Sequence, residues 1–448
     1  MALLDKDSCL CVNSELDYFN IPPTNTSSIK TFYSKVYPIN ALDQGGPIEF
    51  SVVGNKTDFI DLFESYIKIK AKILKQDNSA PQAPNEGEDV PAVSKVFPIN
   101  YLSGAIFKDV LAYIDGKCIS GTNNLYPYKA LFELLLSYEK DILKQQGALG
   151  LYFNDKDDLN ATDPTTDQDS GRYKRFQKTQ YGKEFEIFGK IHCDLFSQKR
   201  KLPGDIPLII KCIKNEDKFL IMSGHATQKY KIRIDEAILY LKRYRLIDNF
   251  INELDKMRSQ HLMKFPMKRI FMKYTTHGPN QTLLQNLNLL SNEEIPKRLI
   301  FALIDSRGFE GSYAHNPFNF QNFNVTNIKV KKGEDPIPFQ EIKLNYANDL
   351  YNEAYWCLLH GTGRLFKNNS LSYESDEFKS SGKTIYCLDL SKNGCDFDTF
   401  ELNETGSIHV EVQLDAAVTH GITIVFYFEY DSILALGDNN STQIAGGI

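Results

Sequence analysis

The sequence predicts an all-β fold of two tandem, eight-stranded antiparallel jelly rolls with short inserted helices. Its length of 448 residues exceeds that of one ordinary domain and suits two or three. Its aromatic residues, 29 Phe and 24 Tyr, favour β-sheets over helical bundles. Strands, a glycine turn and a helix also follow one another twice in the same order along the chain. Together these observations indicate two similar β-sandwiches.

The first half of the chain begins with an arm. Residues 1–45 are polar with little periodicity, which predicts an extended N-terminal arm before a first roll at 46–250. Strands are expected at 47–54 and at 66–74, where apolar and polar residues alternate. These strands provide the beginning of the first sandwich.

A tight turn and a helix follow these strands. Asp115-Gly116 supplies the positive φ that a two-residue hairpin turn requires. The segment YPYKALFELLLSYEKDIL, at 126–143, then spaces its apolar side chains at helical intervals. Polar segments at 75–96 and 154–182 predict exposed loops. The strands that close the first roll are expected at 185–196, 206–213 and 231–245.

The second half repeats this order after a linker helix at 251–264. The second roll is expected at 265–436 and a flexible tail at 437–448. Helices are too few for the crossovers of a parallel sheet, so an α/β fold is disfavoured. Two unrelated β domains remain an alternative, because residue identity between the halves is poor. The predicted elements are strands at 268–278 and 297–305 that pair across a polar stretch, a strand with a glycine turn at Lys332-Gly333, a helix at 347–361, and strands at 383–391, 407–415 and 421–434.

Charge and composition argue against several classes of protein. The net charge of −6 argues against a protein that coats nucleic acid, and the last 56 residues contain nine acids and no Lys or Arg. The N-terminus lacks the basic start and apolar core of a signal peptide, and no apolar run approaches the ~20 residues of a membrane span. We therefore expect a protein that is made inside the cell and not secreted, with its eight Cys reduced.

Several segments resemble, in the same order, the major capsid proteins of Polinton (Maverick) elements and adintoviruses. They extend from about residue 9 to residue 436, so the resemblance covers nearly the whole chain. Each is a structural signature, and their common order makes the resemblance specific. The segments are NSELDYFNIPPTNTS, PIEFSVVGNKTDFIDL with YIKIKAKI, NNLYPYKALFELLLSYEK, FGKIHCDLFSQ, IPLIIKCIKNEDKFLIM, NPFNFQNFNV and GSIHVEVQLDAAVTHGITIVFYFEYDSIL.

The resemblance implies a hexon-like double jelly roll that forms homotrimers. Three chains with two similar rolls each give the six edges of a pseudo-hexagonal capsomer, which tiles an icosahedral shell around double-stranded DNA. The implied partners are further copies, neighbouring capsomers and a minor (penton) capsid protein, with packaged DNA contacted only indirectly. The implied location is the virion, and the loops at 75–96 and 154–182 would form outward towers or contacts between subunits.

The arm is expected to take part in assembly. By the resemblance, it packs beneath the capsomer against neighbours or a minor capsid protein. Its apolar side chains offer enough area to dock as an extended segment, although an isolated polar arm is usually disordered. The assembly candidates are Leu16, Tyr18, Phe19, Ile21, Pro22 and Pro23.

The sequence predicts neither an enzyme nor a cofactor. It has no Gly-rich phosphate loop of the Walker type, and Cys9-x-Cys11 has no second pair at ligand spacing for zinc. His192, Cys193 and Asp194 lie in an apparent strand, where neighbouring side chains point to opposite faces and are not expected to converge.

Two weaker chemical alternatives and two further functional classes remain. Cys193 or Cys357 with a distant His would suit a cysteine protease, and Asp396 with Asp398 would suit paired acids or a Ca²⁺ site. The favoured interpretations are a chance pairing of Cys with His in the first case and a solvated loop around the two Asp in the second. A minor capsid protein or a glycan- or receptor-binding jelly-roll protein is the nearest alternative function, and a tandem jelly-roll hydrolase is less favoured.

Positive charge is concentrated in one part of the sequence. Residues 229–273 contain twelve Lys or Arg against five acids. They would form a basic face toward the shell interior or toward acidic edges of neighbours, or they simply present charge to water from alternate strand residues and the linker helix. The second interpretation is favoured. The basic-face candidates are Arg233, Lys242, Arg243, Arg245, Lys268 and Arg269.

Overall fold

The computed structural model describes most of the chain from residue 14 onward. It describes residues 14–448 except 20, 22, 23, 43, 44, 156, 157, 226, 339, 393–398, 438–441, 447 and 448.

The first roll consists of a five-stranded and a four-stranded antiparallel sheet with a further two-stranded one. One sheet has the order β1-β11-β3-β7 and the other has the order β2-β9-β5-β6, while β8 pairs with β3 and β4 pairs with β10. The strands are β1 (Ser28–Val36), β2 (Ile48–Val52), β3 (Asp58–Lys75), β4 (Val96–Pro98), β5 (Phe107–Ile114), β6 (Lys117–Ser120), β7 (Phe185–Lys190), β8 (Leu202–Pro203), β9 (Leu208–Lys214), β10 (Ile221–Ser223) and β11 (Tyr230–Leu246).

The second roll repeats this topology. Its sheets have the orders β12-β20-β14-β18 and β13-β19-β15-β16, with β17 paired to β15 and β21 paired to β20. In both rolls one sheet joins the first, eighth, third and sixth of the eight strands, and the other joins the second, seventh, fourth and fifth. The strands are β12 (Met263–His277), β13 (Leu283–Glu294), β14 (Arg298–Asp305), β15 (Val325–Lys332), β16 (Asp335–Pro336), β17 (Ile342–Lys343), β18 (Ile385–Asp389), β19 (Thr405–Leu414), β20 (Ile422–Leu436) and β21 (Thr442–Ala445).

The helices lie mostly in the connections between strands. Two occupy equivalent places, because α2 and α8 each follow the hairpin between the fourth and fifth strands of a roll. The helices are α1 (Leu102–Ala105), α2 (Tyr126–Ser137), α3 (Lys140–Gln146), α4 (Gly171–Thr179), α5 (Asp217–Leu220), α6 (Asp248–Arg258), α7 (Ser306–Phe309), α8 (Asn352–Gly361) and α9 (Ser375–Ser380). The predicted double jelly roll with short helices is confirmed.

The two hairpin turns carry the residues that their geometry requires. Asp115 and Gly116 have φ of 50° and 77°, which is the pattern of a type I′ turn between β5 and β6. Gly333, at φ 62°, is the first central residue of the turn between β15 and β16, where a type II′ turn places glycine. The recurring glycine turn and helix are therefore confirmed.

The predicted arm at 1–45 contains a strand of the first roll. β1 pairs with β11 from Ser28 opposite Leu246 to Val36 opposite Leu239. No residue of β1 is fully buried, so its sequence shows no clear alternation of apolar and polar residues. The segment 47–54, which the sequence suggested as the first strand, is consequently the second strand of its roll.

Three further elements differ from their predictions. The polar stretch after β12 contains β13, and β12 and β14 each pair with β20 and not with each other. The predicted helix at 126–143 divides into α2 and α3, because Tyr138 is extended with ψ 150°. The linker helix expected at 251–264 is α6, which ends at Arg258.

Two segments expected to be irregular contain regular structure. The polar segment 154–182 includes α4, whose N-terminal Ser170 accepts a hydrogen bond from the Tyr173 amide through its side chain. The expected tail at 437–448 includes β21, which pairs with the end of β20 from Ile433–Ala445 to Leu436–Thr442. Short polar strands of this kind lack the periodicity from which strands are predicted.

Candidate functional site

Helix α2 forms the junction between the two rolls. Ten of its twelve residues are buried. The Phe132 ring lies 5.3 Å from that of Phe320 and 6.3 Å from that of Tyr427 on β20, while Tyr128 stacks on Phe309 at 5.7 Å. The helix therefore lies on the second roll's sheet with aromatic side chains at the contact.

Hydrogen bonds to main-chain carbonyls hold the same junction. The Asn123 amide donates to the Met272 carbonyl at 3.3 Å, and the Ser372 hydroxyl donates to the Leu135 carbonyl at 2.7 Å. The Arg364 guanidinium donates to the Leu136 carbonyl at 2.9 Å. Because helix carbonyls in the last turn have no partner within the helix, the Ser372 and Arg364 side chains cap the end of α2.

A buried ion pair of the first roll lies at the junction and is connected to the second roll. Lys129 on α2 forms an ion pair with Asp194, and both side chains are at most 2% exposed. The second carboxylate oxygen of Asp194 accepts from the Ile270 amide of β12 at 3.2 Å. Burial alone would lower the pKa of Lys129, but the carboxylates of Asp194 and Glu133 raise this pKa above its usual range. Removing one member would leave a buried charge without its partner.

His192 joins the same polar cluster. Its Nδ1 lies 2.6 Å from Glu133, and its Nε2 lies 2.6 Å from the Tyr101 hydroxyl. The sequence placed His192, Cys193 and Asp194 in a strand, which is wrong, because β7 ends at Lys190 and Asp194 begins a short 3₁₀ turn. His192 contacts residues of the first roll, and Asp194 connects α2 to β12.

The candidate nucleophiles are buried thiols. Burial raises the pKa of Cys193 to about 11 and that of Cys357 to about 12, so both stay protonated near neutral pH. Among the described residues, no group of three or more His, Cys, Asp or Glu is placed to hold a metal ion. Cys9, Cys11, Asp396 and Asp398 lie outside the described residues.

The equivalent sheets of the two rolls differ in exposure. Seven of the eight residues of β14 and the first nine of β20 are buried, so both faces of this sheet are covered. In β3, buried residues alternate with half-buried ones from Tyr66 to Lys72, so only the inner face is covered. One face of the first roll is therefore accessible where the second roll's is not.

Aromatic rings and lysines form this accessible surface, which we call the open face. Tyr66 stacks on Tyr240 at 4.9 Å and lies 5.8 Å from Tyr33 and 5.9 Å from Phe188, measured between ring centroids. Tyr33 is 50% exposed. The open face comprises the outward side chains of β1, β3, β7 and β11: Tyr33, Lys35, Tyr66, Lys68, Phe188, Tyr240 and Lys242.

The open face was not predicted, although the sequence contains a signal for it. From Tyr66 to Lys72 on β3 and from Tyr240 to Tyr244 on β11, the residues between the buried ones are Tyr or Lys. Aromatic residues on the exposed side of a strand are unusual for a surface that only meets water.

Helix α8 packs on its own roll and is more exposed than α2. Ala354, Cys357, Leu358 and Gly361 are buried against β18 of its own roll. The residues on the other side form what we call the outer side of α8. Tyr355, Trp356 and Leu359 are half-buried there, His360 is exposed, and the Trp356 and His360 rings stack at 5.0 Å.

The assembly candidates of the arm are exposed where the structure describes them. The exposed fractions are 57% for Leu16, 76% for Tyr18, 95% for Phe19 and 86% for Ile21. Pro22 and Pro23 lie outside the described residues. Four large apolar side chains within six residues thus lie on the surface of the single chain, and their role in assembly stays a prediction.

The basic-face candidates divide between the two rolls. Arg245 binds Asp58 through two nitrogens, at 2.8 and 3.1 Å, and Arg233 donates to Asp235 at 2.7 Å. Arg243 is 7% exposed, and burial lowers its pKa. It donates to the Ser34 hydroxyl at 2.8 Å.

The remaining candidates also lie on strands. Lys242 forms an ion pair with Glu64, and on β12 Lys268 forms one with Glu429. Arg269, also on β12, is half-buried. Carboxylates within the chain partly neutralise Arg233, Arg245, Lys242 and Lys268, and Arg243 is buried, so a basic face stays a prediction.

Sequence comparison identifies one similar animal protein. No protein-family model matches the chain. The chain is 27% identical over 423 residues to an uncharacterized protein of Caenorhabditis elegans, F54H12.2, and this match covers 93% of the chain and 97% of that protein. Within the described part of the chain, no helix combines the length and apolar character that crossing a membrane requires.

Structural comparison identifies viral proteins. A chain of the Sputnik virophage has a TM-score of 0.63 at 13% identity, covering 100% of this chain and 94% of that one. The mavirus major capsid protein has a TM-score of 0.54 at 10% identity, and the match covers 99% of this chain and 97% of that one. A chain of the PBCV-1 virus capsid has a TM-score of 0.53 at 10% identity, and the match covers 96% of this chain and 100% of that one. The chain thus has the double jelly-roll fold of viral major capsid proteins.

Proposed function

We propose that this chain is a major capsid protein of the Polinton and adintovirus type, which forms homotrimeric, pseudo-hexagonal capsomers of an icosahedral shell. One observation carries the proposal: each chain contains two rolls of identical strand order, packed together through α2. Three copies therefore supply six similar units, which hexagonal tiling of a shell requires.

Two comparisons support this assignment. The fold is that of the mavirus major capsid protein over nearly the full length of both chains. A similar protein of almost the same extent in Caenorhabditis elegans suits a capsid gene that is carried by an element within animal genomes. The collinear sequence segments, from the arm to the last strand, favour the Polinton and adintovirus type among capsid proteins.

The proposed partners follow from this role. The chain associates with itself, with neighbouring capsomers and with a minor capsid protein, while packaged DNA is contacted only indirectly. Its destination is the virion, and it is not an enzyme. The buried position of the Asp194 carboxylate in its ion pair with Lys129 supports this, because a hydrolase needs carboxylates that face a substrate groove.

The arm would bind neighbours from beneath the capsomer. Tyr18, Phe19 and Ile21 are almost fully exposed in the single chain, so contact with another protein would remove apolar surface from water. A chain that lacks residues 1–26, cut before β1, should form trimers but no shells. Normal shells from this truncated chain would exclude the role of the arm.

The decisive measurement is the mass of the purified chain by light scattering, followed by negative-stain imaging. We expect three times 51.1 kDa and particles with a hexagonal outline. A chain that stays a single copy at every concentration would contradict the capsomer, and glycan binding would then be the next function to test.

A further inference from the structure

A cleft lies at the edge of the sheet that carries the open face. β7 is the last strand of this sheet, and the cleft is bounded by β7, by the end of α2 and by α3 with the turn that follows it. We call it the edge cleft. Its volume is about 390 Å³, within the roughly 300–1,000 Å³ of small-molecule sites. It is therefore large enough for a small ligand.

The walls of the edge cleft are apolar and aromatic. Of the seven residues of α3, all within the described part of the chain, Leu143 alone is buried, so this helix covers the cleft only lightly. Leu149, in the turn after α3, is 58% exposed. A hydrocarbon chain in the cleft would remove such surface from water. The side chains that form the walls are Tyr66, Leu134, Tyr138, Leu143, Leu149 and Phe188.

Two glycines fix the floor of the edge cleft. A Cβ at Gly150 would lie 2.2 Å from the Ser103 hydroxyl oxygen, and a Cβ at Gly189 would lie 2.8 Å from the Ser103 Cβ. Neither glycine has a positive φ, so close approach to α1 is what requires glycine at these positions. The main chain at both glycines thus packs directly on Ser103, and this contact sets the shape of the cleft.

A lysine without a charged partner borders this apolar cleft. Lys190, the last residue of β7, lines the cleft and is half-buried. Burial lowers the pKa of its ammonium group, while Glu133 partly offsets this effect. Lys190 Nζ lies 4.6 Å from the centre of the Phe63 ring, and it forms no ion pair with a carboxylate of the described residues. An anion beside Nζ would therefore gain a charged hydrogen bond without displacing a carboxylate.

We infer that the edge cleft binds a free fatty acid, whose alkyl chain lies between the walls and whose carboxylate pairs with Lys190. The apolar walls match a hydrocarbon chain, and the lysine matches one anionic group at the end of that chain. A membrane lipid carries two chains and needs a larger cleft. This inference goes beyond the proposed capsid function and does not depend on it. Because Tyr66 belongs to both surfaces, a bound alkyl chain would also cover part of the open face.

The test compares a carboxylate with the alcohol of the same chain length. Isothermal titration calorimetry of the full chain at neutral pH measures the binding of decanoate and of 1-decanol. We expect one decanoate per chain. Lys190→Gln should weaken decanoate binding about tenfold or more, as for loss of a hydrogen bond between charged groups, and should change 1-decanol binding less than twofold. Lys190→Arg keeps the charge and should retain decanoate binding.

Two further variants locate the site. Lys68→Gln changes a lysine on the same sheet that pairs with Glu186 at 2.9 Å, and this variant should bind decanoate like the unmodified chain. Leu149→Gln makes one wall polar and should weaken the binding of both ligands. Circular dichroism of every variant should match that of the unmodified chain, since Lys190 and Lys68 are not part of the apolar core and Leu149 is exposed.

Three results would overturn the inference. The first is the absence of decanoate binding, including the case in which the chain binds only vesicles of anionic phospholipid. The second is equal decanoate affinity of Lys190→Gln and the unmodified chain. The third is decanoate binding by single copies that is lost in the trimer, because a second copy would then occupy the cleft. None of these results contradicts the capsomer, which the mass of the unmodified chain tests separately.

Discussion

The two jelly rolls share one strand order but differ in what covers their equivalent sheets. β14 and the first part of β20 are buried on both faces, and Phe132 of α2 contacts Tyr427 of β20, whereas β3 and β11 keep one accessible face. The sequences already differ in this way, since LIFALI at 299–304 is continuously apolar and YIKIKAKI alternates. The duplicated architecture thus has one sheet that is covered on both faces and an equivalent sheet that keeps an accessible face.

The largest expected effect is on the covered side of this comparison. Phe132 is fully buried between the rolls, so Phe132→Ala should lower the free energy of unfolding by about 3–5 kcal/mol through lost burial and a cavity. Urea denaturation of the single chain measures this loss.

Tyr66→Ala is the matched variant on the open face. Tyr66 is half-buried and contacts other rings at the surface, so its truncation should cost the single chain less than about 1.5 kcal/mol. Equal losses for the two variants would mean that the open face is as important for the single chain as the junction, and would remove the difference between the rolls.

The sequence predicts these two rolls better than it predicts their junction. Period-two strands, two hairpin glycines and the helices after them follow from local residue patterns, because each pattern acts within about ten residues. β1 was missed because it is an edge strand without a fully buried residue, and β13 because Asn286 lies on its buried face and its register shifts between Asn286 and Leu290. The Lys129–Asp194–Ile270 connection was missed because it joins residues 65 and 76 positions apart, and neither has a local signature.

An effect smaller than that of Phe132→Ala is expected from the charged groups of α2 at the junction. Burial alone would raise the pKa of Glu133, but Lys129 and His192 lower this pKa to about 2, from an ordinary value of 4.5. A carboxyl group with a lowered folded pKa adds stability that is present above its ordinary pKa and is lost as the pH falls toward the folded pKa. Glu133 therefore stabilises the chain at neutral pH and progressively less between pH 4.5 and about 2.

Glu133→Gln tests this contribution. At pH 7 the variant should be less stable by about 1.5–3 kcal/mol, as for loss of a hydrogen bond to a charged group. The difference from the unmodified chain should shrink as the pH falls below 4.5, because protonation then removes the same charge from Glu133. Urea denaturation of both chains at a series of pH values measures this difference in stability. A difference independent of pH would show that the Glu133 charge does not stabilise the junction.

The smallest expected effect compares the two hairpin turns, where the rolls are most alike. A Cβ at Gly116 or Gly333 would meet nothing within 4 Å, so Gly→Ala at either position costs only backbone strain, about 1 kcal/mol. Gly116→Asn should recover most of that loss, because Asn accepts the left-handed conformation at the second central position of a type I′ turn. Asn at position 333 should recover less, since the first central position of a type II′ turn is dominated by glycine. Thermal denaturation of the four variants measures these differences. Equal recovery by Asn at both sites would show that the two turns are of one type, so that the rolls differ only in what covers their sheets.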